Sequence, residues 1–265
     1  MGWKRYVAVG DSFTEGIGDP APGGRDRGWA DRTAEVLAQD EPGLGYANLA
    51  IRGRLLDQIV NEQIPQVLDL APDLVSLAGG VNDALRRHWD LPAMEASLAK
   101  GIAALRTTGA DVVIVTYGRP SNRSKLMGRV EGRLAEYREV TFEIAGRNGC
   151  RVVDFWDHHV FDDPRFWSDD RLHLNPVGHQ RVAMAVLETL GRPVGDWQQP
   201  LPRVRPISPV TKIGRDVTWA GRHLAPWLGR RVTGRSSGDG VVPKRPDLQP
   251  IRSHGTIHAT HRTSS

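Results

Sequence analysis

The chain has 265 residues, of which 39% are hydrophobic, 25% charged and 6% aromatic. This composition is too apolar for a wholly disordered protein, and the 29 Gly and 18 Pro lack the strict period of a collagen. No stretch approaches the ~18 to 20 consecutive apolar residues that cross a bilayer, and the first residues lack the apolar core of a signal peptide. Cys150 is the single cysteine, so neither an internal disulfide nor a cysteine metal cage can form. We therefore expect a soluble, cytoplasmic protein.

From residue 5 to about residue 190, short β-branched runs alternate with longer helical patterns, as is typical of a parallel sheet wrapped by helices. The predicted strands are residues 5–9, 46–50, 73–78, 111–117 and 151–155. The predicted helices are residues 29–39, 55–70, 92–106, 125–147 and 176–190. We therefore predict an α/β fold with a central parallel sheet of about five strands. Ligands of such sheets bind outside the carboxyl ends of the strands, so the loops that follow the strands are where a site is expected.

The end of the chain has a different character, and we divide the sequence into a domain of residues 1–195 and an extension of residues 196–265. Residues 200–265 hold 12 Lys and Arg against 3 Asp and Glu, a charge of +9, while the rest of the chain carries −5. Within this basic, Pro- and Arg-rich extension, residues 216–231 have apolar side chains at helical spacing and predict one short amphipathic helix. The remainder is predicted to be partly disordered.

The first chemical motif is Gly10-Asp11-Ser12, at the end of the first predicted strand. A serine there, before a helix, can present its hydroxyl to the space that the backbone N–H groups of the turn face, as a nucleophile requires. The segment is not the Gly-x-Ser-x-Gly elbow, because Thr14 stands where the second glycine belongs, and no Gly-Lys-Ser/Thr follows that would make a phosphate loop. An ordinary turn or helix cap is the alternative for this tripeptide alone.

A base for this hydroxyl is available far downstream, where Asp170 and His173 stand three residues apart, before Pro176. In a turn or one helical coil, the carboxylate can hold the imidazole from behind, which fixes its tautomer and leaves the other ring nitrogen for Ser12. Pro176 is predicted to begin a helix, which places His173 on a loop. Taken alone, the pair could also be unremarkable helix-capping residues.

Two further strand ends carry candidate donors for an oxyanion. Gly53 follows the second strand, where a glycine lets a backbone N–H approach a reacting carbonyl without an interfering Cβ. Asn82 follows the third strand in Gly80-Val81-Asn82-Asp83, and its amide can point to a developing negative charge. A turn glycine and a helix cap are the alternatives at these two positions.

A histidine and aspartate cluster at residues 157–163 does not predict a metal site. His158 and His159 are adjacent and so point apart, and the helical i,i+4 spacing of a metal-binding histidine pair is absent. We predict a solvated loop there, with no metal and no cofactor.

Together, the four blocks resemble those of the SGNH/GDSL hydrolase family, in the same order along the chain. They are Gly-Asp-Ser around Ser12, the glycine Gly53, Gly-x-Asn-Asp around Asn82, and Asp-x-x-His at Asp170 and His173. The resemblance covers roughly residues 5–190, so that residues 1–195 are interpreted as the catalytic domain. It departs from the family pattern at residues 13 and 14, where Phe and Thr replace the motif's Leu, and at residues 51 and 52, where the family's block is richer in Gly.

The resemblance implies a flavodoxin-like three-layer α/β/α sandwich and metal-free hydrolysis of a small-molecule acyl ester. It assigns Ser12 as the nucleophile, His173 as the base and Asp170 as its partner. The Ser12 and Gly53 N–H groups and the Asn82 amide form the implied oxyanion hole. Short-chain esters are the expected substrates, and a thioesterase, a lysophospholipase or a carbohydrate O-deacetylase are alternatives of the same family.

The basic extension leaves a second class of function open. Its positive charge could pack on the acidic body as a lid or brace, lie on an anionic membrane surface, or bind nucleic acid. In the last two cases the protein could be a binding module without catalysis. The sequence does not indicate an oligomeric state.

Overall fold

The strands form one sheet in the computed structural model, which describes residues 2–123, 127–203 and 237–252. In chain order the strands are β1 (Arg5–Gly10), β2 (Gly45–Asn48), β3 (Leu74–Ala78), β4 (Asp111–Val115), β5 (Arg151–Val153) and β6 (Arg245–Pro250). Their spatial order is β5-β4-β3-β1-β2-β6, and β1 to β5 pair in parallel. The predicted α/β fold with five parallel strands is therefore confirmed, with one strand added.

Helices cover both faces of the sheet. The α-helices of the described residues are α1 (Ser12–Glu15), α2 (Gly28–Asp40), α3 (Leu56–Gln58), α4 (Ile64–Leu70), α5 (Val81–Ala84), α6 (Leu91–Arg106), α7 (Glu131–Arg147) and α8 (Pro176–Thr189). The helix predicted over residues 125–147 begins as an α-helix only at Glu131, after a 3₁₀ turn at Met127–Val130.

Alternate side chains of β1 enter two separate cores, one on each face of the sheet. Tyr6 and Ala8 pack in one core with α2 and α8, whereas Val7 and Val9 pack in the other with α3, α4, α6 and α7. A strand that is buried on both faces is an almost continuous apolar run, as β1 is in the sequence. This burial on both faces produces the three-layer α/β/α architecture.

The helix predicted over residues 55–70 is interrupted by a π-helical turn at Ile59–Gln63. Pro65 follows in the first turn of α4, and proline has no N–H to donate to the carbonyl four residues earlier, which favours an irregular turn before it. The turn brings the buried Gln63 amide to the end of β1. Its Nε2 donates to the Gly10 carbonyl at 2.9 Å, and its Oε1 accepts from the Gly10 N–H at 2.8 Å. Gln63 thereby fixes the backbone immediately before Ser12.

The sixth strand, β6, corrects our expectation of irregular structure in this part of the basic extension. It pairs antiparallel with β2 at the edge of the sheet, from Gly45 opposite Pro250 to Asn48 opposite Arg245. Pro246 and Pro250 lie in this segment, and an edge strand tolerates proline where the missing N–H would face solvent. The predicted helix over residues 216–231 lies outside the described residues, so the proposed roles of the whole extension remain predictions.

Lys244, immediately before β6, joins the extension to the body through buried polar contacts. Its ammonium pairs with Asp31 of α2 and donates to the carbonyls of Asp26 at 3.0 Å and Arg27 at 2.6 Å. The two paired side chains are only 10% and 7% exposed. Removing Lys244 would leave the buried Asp31 with Arg245, whose Nε is 3.4 Å from Asp31 Oδ1, as its remaining cationic partner, and so with a less well compensated charge.

We expect Lys244→Met to lower the free energy of unfolding by about 3 kcal/mol, which corresponds to a decrease in Tm of roughly 6 to 12 °C. Differential scanning calorimetry measures the change. Lys4→Met, at an exposed lysine before β1, is the matched control and should leave Tm unchanged. Equal Tm values for the Lys244 and Lys4 variants would show that this contact does not stabilise the fold.

No helix among residues 2–123, 127–203 and 237–252 is both long and apolar enough to span a membrane.

Candidate active site

The strand order creates a crevice between β1 and β3. After β1 the chain passes through α2 on one face to β2, and after β3 it passes through α6 on the other face to β4. At such a switch point the two connections diverge and leave a space outside the carboxyl ends of the strands. Ser12 follows β1 and Asn82 follows β3, so the topology brings both residues to this space.

The turn that carries Ser12 is held by its neighbours. Asp11 caps the short helix α1, because its Oδ1 accepts from the Phe13 N–H at 3.0 Å. A Cβ on Gly10 would lie 2.5 Å from the Ala78 carbonyl oxygen, so only glycine allows β1 and β3 to approach this closely at their ends. With Gln63 bonded to Gly10, the backbone on the N-terminal side of Ser12 is fixed.

Ser12, His173 and Asp170 form a continuous hydrogen-bonded chain across 161 residues of sequence. Ser12 Oγ lies 3.0 Å from His173 Nε2, and His173 Nδ1 lies 2.6 Å from Asp170 Oδ2. The other carboxylate oxygen of Asp170 accepts from the N–H groups of Leu172 and His173, each at 2.9 Å, and from Ser168 Oγ at 2.7 Å.

These bonds determine the charge of Asp170. Burial alone would raise the pKa of its carboxyl, but the hydrogen bonds and charge of His173, with the two backbone N–H donors, outweigh burial and hold the pKa well below its usual range. Asp170 is therefore ionised at neutral pH and accepts the Nδ1 proton of His173. This tautomer leaves the Nε2 lone pair directed to Ser12.

Asn82 lies beside Ser12, and its amide is already hydrogen-bonded. Its Nδ2 donates to Asp11 Oδ2 at 3.1 Å and to the Arg54 carbonyl at 3.0 Å. The predicted donor thus reaches the crevice, with an acidic partner that the sequence analysis did not assign to it.

Gly53 lies in the loop after β2 with a φ of 77°, in the left-handed region that favours glycine. Its neighbour Arg52 fastens this loop to α1, because the Arg52 N–H donates to Glu15 Oε2 at 2.7 Å and the Arg52 guanidinium pairs with the same carboxylate. The second predicted donor loop is therefore tied to the helix that begins with Ser12.

Two carboxyl groups next to this site, the buried Asp11 and the half-buried Asp83, have raised pKa values. Burial raises the pKa of Asp11 to about 6, against the hydrogen bond from Phe13. Burial raises the pKa of Asp83 to about 7, against the bond from the Leu56 N–H, and the nearby charge of Asp11 adds to the increase. A group whose pKa is raised on folding stabilises the folded state most at low pH, and this contribution is lost as the pH rises through the folded-state pKa.

We therefore expect the change that Asp83→Asn makes to the free energy of unfolding to be more stabilising at pH 8 than at pH 5. The two changes should differ by about 2 kcal/mol. Asparagine keeps an oxygen acceptor for the Leu56 N–H and is uncharged at both pH values. Urea unfolding at the two pH values measures the difference, with Asp69→Asn on the exposed end of α4 as the control. The same effect of Asp83→Asn at both pH values would contradict the raised pKa.

A cleft with an empty volume of about 1150 Å³, including its open mouth, lies over Ser12 and His173. Its wall is largely apolar, and contributing side chains include Phe13, Leu134, Phe161, Trp167, Leu172 and Val182. His179 also lines it, but this ring accepts from the Trp29 N–H and donates to the Ile17 carbonyl. Burial lowers its pKa to about 4, so His179 is neutral and holds the turn after α1 to α8.

The cleft also contains residues that the sequence analysis did not identify. Tyr117 and Arg123 line it, and the Tyr117 hydroxyl is buried with no hydrogen-bond partner among the described residues. The sequence feature that could have identified them is their position after β4, because the loop there lies at the same edge of the sheet as the other site loops.

In the predicted solvated loop, His159 bonds Asp162 at 2.8 Å and His158 bonds Gln198 at 3.1 Å.

A sequence model of the GDSL-like lipase/acylhydrolase family matches residues 8–181, a range that includes Ser12, Gly53, Asn82, Asp170 and His173. No curated protein matches the chain significantly.

Solved structures share the fold. LAE5, an alpha/beta hydrolase enzyme from the metagenome of Lake Arreo, Spain, is similar with a TM-score of 0.58 and 25% identity, over 71% of this chain and 95% of its own. Axe2, an acetylxylan esterase from Geobacillus stearothermophilus, has a TM-score of 0.58 and 21% identity, over 76% and 97%. TesA has a TM-score of 0.58 and 23% identity, over 70% and 97%. At 21% and 23% identity, the likenesses to Axe2 and TesA show the fold alone.

Proposed function

The chain belongs to the GDSL-like lipase/acylhydrolase family and is an ester hydrolase, and from that premise we propose that it cleaves carboxylic acyl esters through an acyl-enzyme on Ser12. The observation that carries this proposal is the hydrogen-bonded chain from Ser12 through His173 to Asp170. A serine hydroxyl is a weak nucleophile until a neighbouring base takes its proton. His173 Nε2, which carries no hydrogen in the tautomer that the Asp170 hydrogen bond to Nδ1 favours, is 3.0 Å from that hydroxyl.

In the proposed reaction, Ser12 Oγ attacks the ester carbonyl carbon while its proton moves to His173 Nε2. The bond to the alcohol oxygen then breaks, and His173 gives its proton to the departing alcohol. A water molecule attacks the acyl-enzyme, His173 takes a proton from that water, and the acid leaves as the proton returns to Ser12. The ionised Asp170 stabilises the imidazolium that forms in each half of the reaction.

The tetrahedral intermediates need donors for their oxyanion. Ser12 supplies its backbone N–H, for which no acceptor occurs among the described residues, and Gly53 supplies a second in this proposal. Asn82 is the third donor. Because both hydrogens of its Nδ2 are already donated, the amide must share one of them between the oxyanion and its resting partner, Asp11 or the Arg54 carbonyl.

Replacing Asn82 by Ala is expected to lower kcat by about 10²- to 10³-fold, because one preorganised donor is lost while the nucleophile and base remain. Steady-state hydrolysis of p-nitrophenyl butyrate measures the loss. Asn61→Ala, at an exposed asparagine, is the control. A variant at Asn82 that is folded and retains full kcat would remove this residue from the oxyanion hole.

Esters of short acyl chains are the proposed substrates. A panel of compounds that also covers the other chemistries of the family tests this part of the proposal. p-Nitrophenyl esters from acetate to octanoate, an acyl thioester, a lysophospholipid and an acetylated xylose oligosaccharide cover them. The last is included because Axe2 shares the fold. A maximum at acetate or butyrate supports the proposal, and a maximum at octanoate contradicts the chain-length part of it.

A fluorophosphonate probe separates an active enzyme from a binding module that retains the site without using it. We expect covalent labelling at Ser12, identified by peptide mass spectrometry, and none in Ser12→Ala. Salt-sensitive binding of DNA without labelling would favour the binding module.

A cytoplasmic location belongs to the same proposal and rests on the single cysteine, Cys150, which permits no internal disulfide.

A further inference from the structure

Arg123 places a positive charge in the wall of the cleft that contains Ser12 and His173. It follows the 3₁₀ turn Pro120–Asn122 after β4, and its guanidinium lies over the ring of Trp167, another residue of the cleft. A guanidinium stacked on an aromatic face is held in a defined plane with its N–H groups directed outward from the edge. The contact with Trp167 therefore holds the charge in the wall of the cleft.

The guanidinium has no ion-pair partner among the carboxylates of the described residues. The carboxylates whose charge acts on it are Asp170 and Asp162. Asp170 Oδ2 is bonded to His173 at 2.6 Å, and Asp162 Oδ2 is bonded to His159 at 2.8 Å. By contrast Arg119, which lines the same cleft, pairs with Asp157 at 2.6 Å. Arg123 is thus the cleft arginine whose charge is not neutralised by a contacting acid in the described structure.

Most of the N–H donors of Arg123 have no acceptor among the residues that the structure describes. A guanidinium carries five N–H donors. In the described structure one nitrogen, Nη2, donates to the Arg171 carbonyl at 2.5 Å. Burial lowers the pKa of Arg123 to about 9, so the group is still cationic at neutral pH. A partly desolvated cation with spare donors binds an anion more strongly than an exposed one does.

We propose that Arg123 binds a carboxylate or phosphate group of the substrate, so that the cleft selects esters that carry a negative charge on the acyl or the alcohol part. This inference rests on the proposed esterase function and deepens it by naming the class of substrate. The apolar wall of the cleft holds the carbon skeleton, and Arg123 provides the charged contact near the catalytic loop.

Arg123 also contacts the loop of the catalytic histidine, and a purely positioning role has a different signature. Arg171 has a φ of 56°, in the left-handed region that is unfavourable for a residue with a Cβ, and Arg123 bonds its carbonyl. If that bond were the whole role of Arg123, its loss would lower kcat for charged and neutral esters alike. Selective binding of an anion instead predicts a change in the ratio of kcat/KM for charged esters to kcat/KM for neutral esters.

Two substrate pairs test the proposal on the full-length protein. Mono-p-nitrophenyl glutarate and p-nitrophenyl valerate differ in charge on the acyl side, and 4-acetoxybenzoate and 4-acetoxybenzamide differ on the alcohol side. We expect Arg123→Gln to lower the ratio of kcat/KM, charged over neutral, by about 10-fold or more for at least one pair. The change should lie mainly in KM. Arg123→Lys should restore most of the ratio, and Arg147→Gln on exposed α7 should not alter it.

The results separate this inference from the proposed function. Turnover of neutral esters with a ratio that Arg123→Gln leaves unchanged would overturn the anion site and leave the esterase intact. An equal loss for both members of each pair would assign Arg123 to loop positioning alone. If no ester is hydrolysed, calorimetric binding of the same four compounds to Ser12→Ala, with and without Arg123→Gln, still decides: equal affinities for charged and neutral compounds overturn the proposal.

Discussion

Replacing Ser12 by Ala is expected to lower kcat for p-nitrophenyl butyrate by about 10⁴-fold or more, with little change in Tm. The substitution removes only the Oγ atom that is 3.0 Å from His173 Nε2. The turn around it is held by Gln63 and by the Asp11 cap, neither of which needs the serine hydroxyl. Chemistry should therefore be lost while the fold remains.

His173→Ala tests the same step from the other side and should cause a loss of similar size. The effects of groups that act as one unit are not additive. We therefore expect the kcat of the double variant to be about as low as that of either single variant, and not lower by the product of the two losses. His159→Ala is the matched control, because His159 also bonds an aspartate three residues away but is 81% exposed. Retention of activity in Ser12→Ala at the wild-type level would remove the proposed nucleophile.

Replacing Asp170 by Asn is expected to lower kcat by about 10³- to 10⁴-fold. Asparagine retains an oxygen for the backbone N–H groups of Leu172 and His173, so the loop should keep its shape. Its amide nitrogen is a donor, however, and favours the imidazole tautomer with a proton on Nε2. His173 Nε2 then carries a hydrogen directed at Ser12, so it cannot accept the serine proton.

Asp169→Asn provides a control of the same chemistry one residue away, at an exposed aspartate of the same loop. It should leave kcat within about 2-fold of the wild type, since exposed surface substitutions away from a site have small effects. NMR of the imidazole nitrogens should show Nδ1 protonated in the wild type and Nε2 protonated in Asp170→Asn. An unchanged tautomer together with an unchanged kcat would show that Asp170 does not orient His173.

Much of the fold followed from local patterns. The β-branched runs placed β1 to β5 to within a few residues, because β1 to β4 are almost wholly buried and largely apolar, and the two valines of the edge strand β5 extend the same pattern. The edge strand β6 was missed, because its two exposed prolines carry no apolar signal, and its pairing with β2 spans about 200 residues of chain. The π-turn before Pro65 was missed as well, since periodicity alone does not distinguish it from α-helix.

The candidate site, like the fold, was predicted from the sequence only in part. Ser12, Gly53, Asn82, Asp170 and His173 stand in short motifs that follow a strand or precede a helix, and each motif alone could be a turn or a helix cap. Their joint order along the chain, which resembles that of the SGNH/GDSL family, singled them out. The contacts that prepare them come from side chains without a local motif. Gln63 holds Gly10, Asp11 holds the Asn82 amide, and neither pairing leaves a trace in residue spacing.

The sequence by itself therefore determined which side chains are available for chemistry and the order in which helices and strands carry them. The tertiary structure alone decided which of them meet: the strand order 5-4-3-1-2 opens the crevice beside β1, and the loop after β5 returns His173 to Ser12. It also decided that Arg123 remains without a contacting carboxylate in the described cleft. The physical reason is that propensity and capping act over a few neighbouring residues, whereas burial and charge pairing depend on groups that only folding brings together.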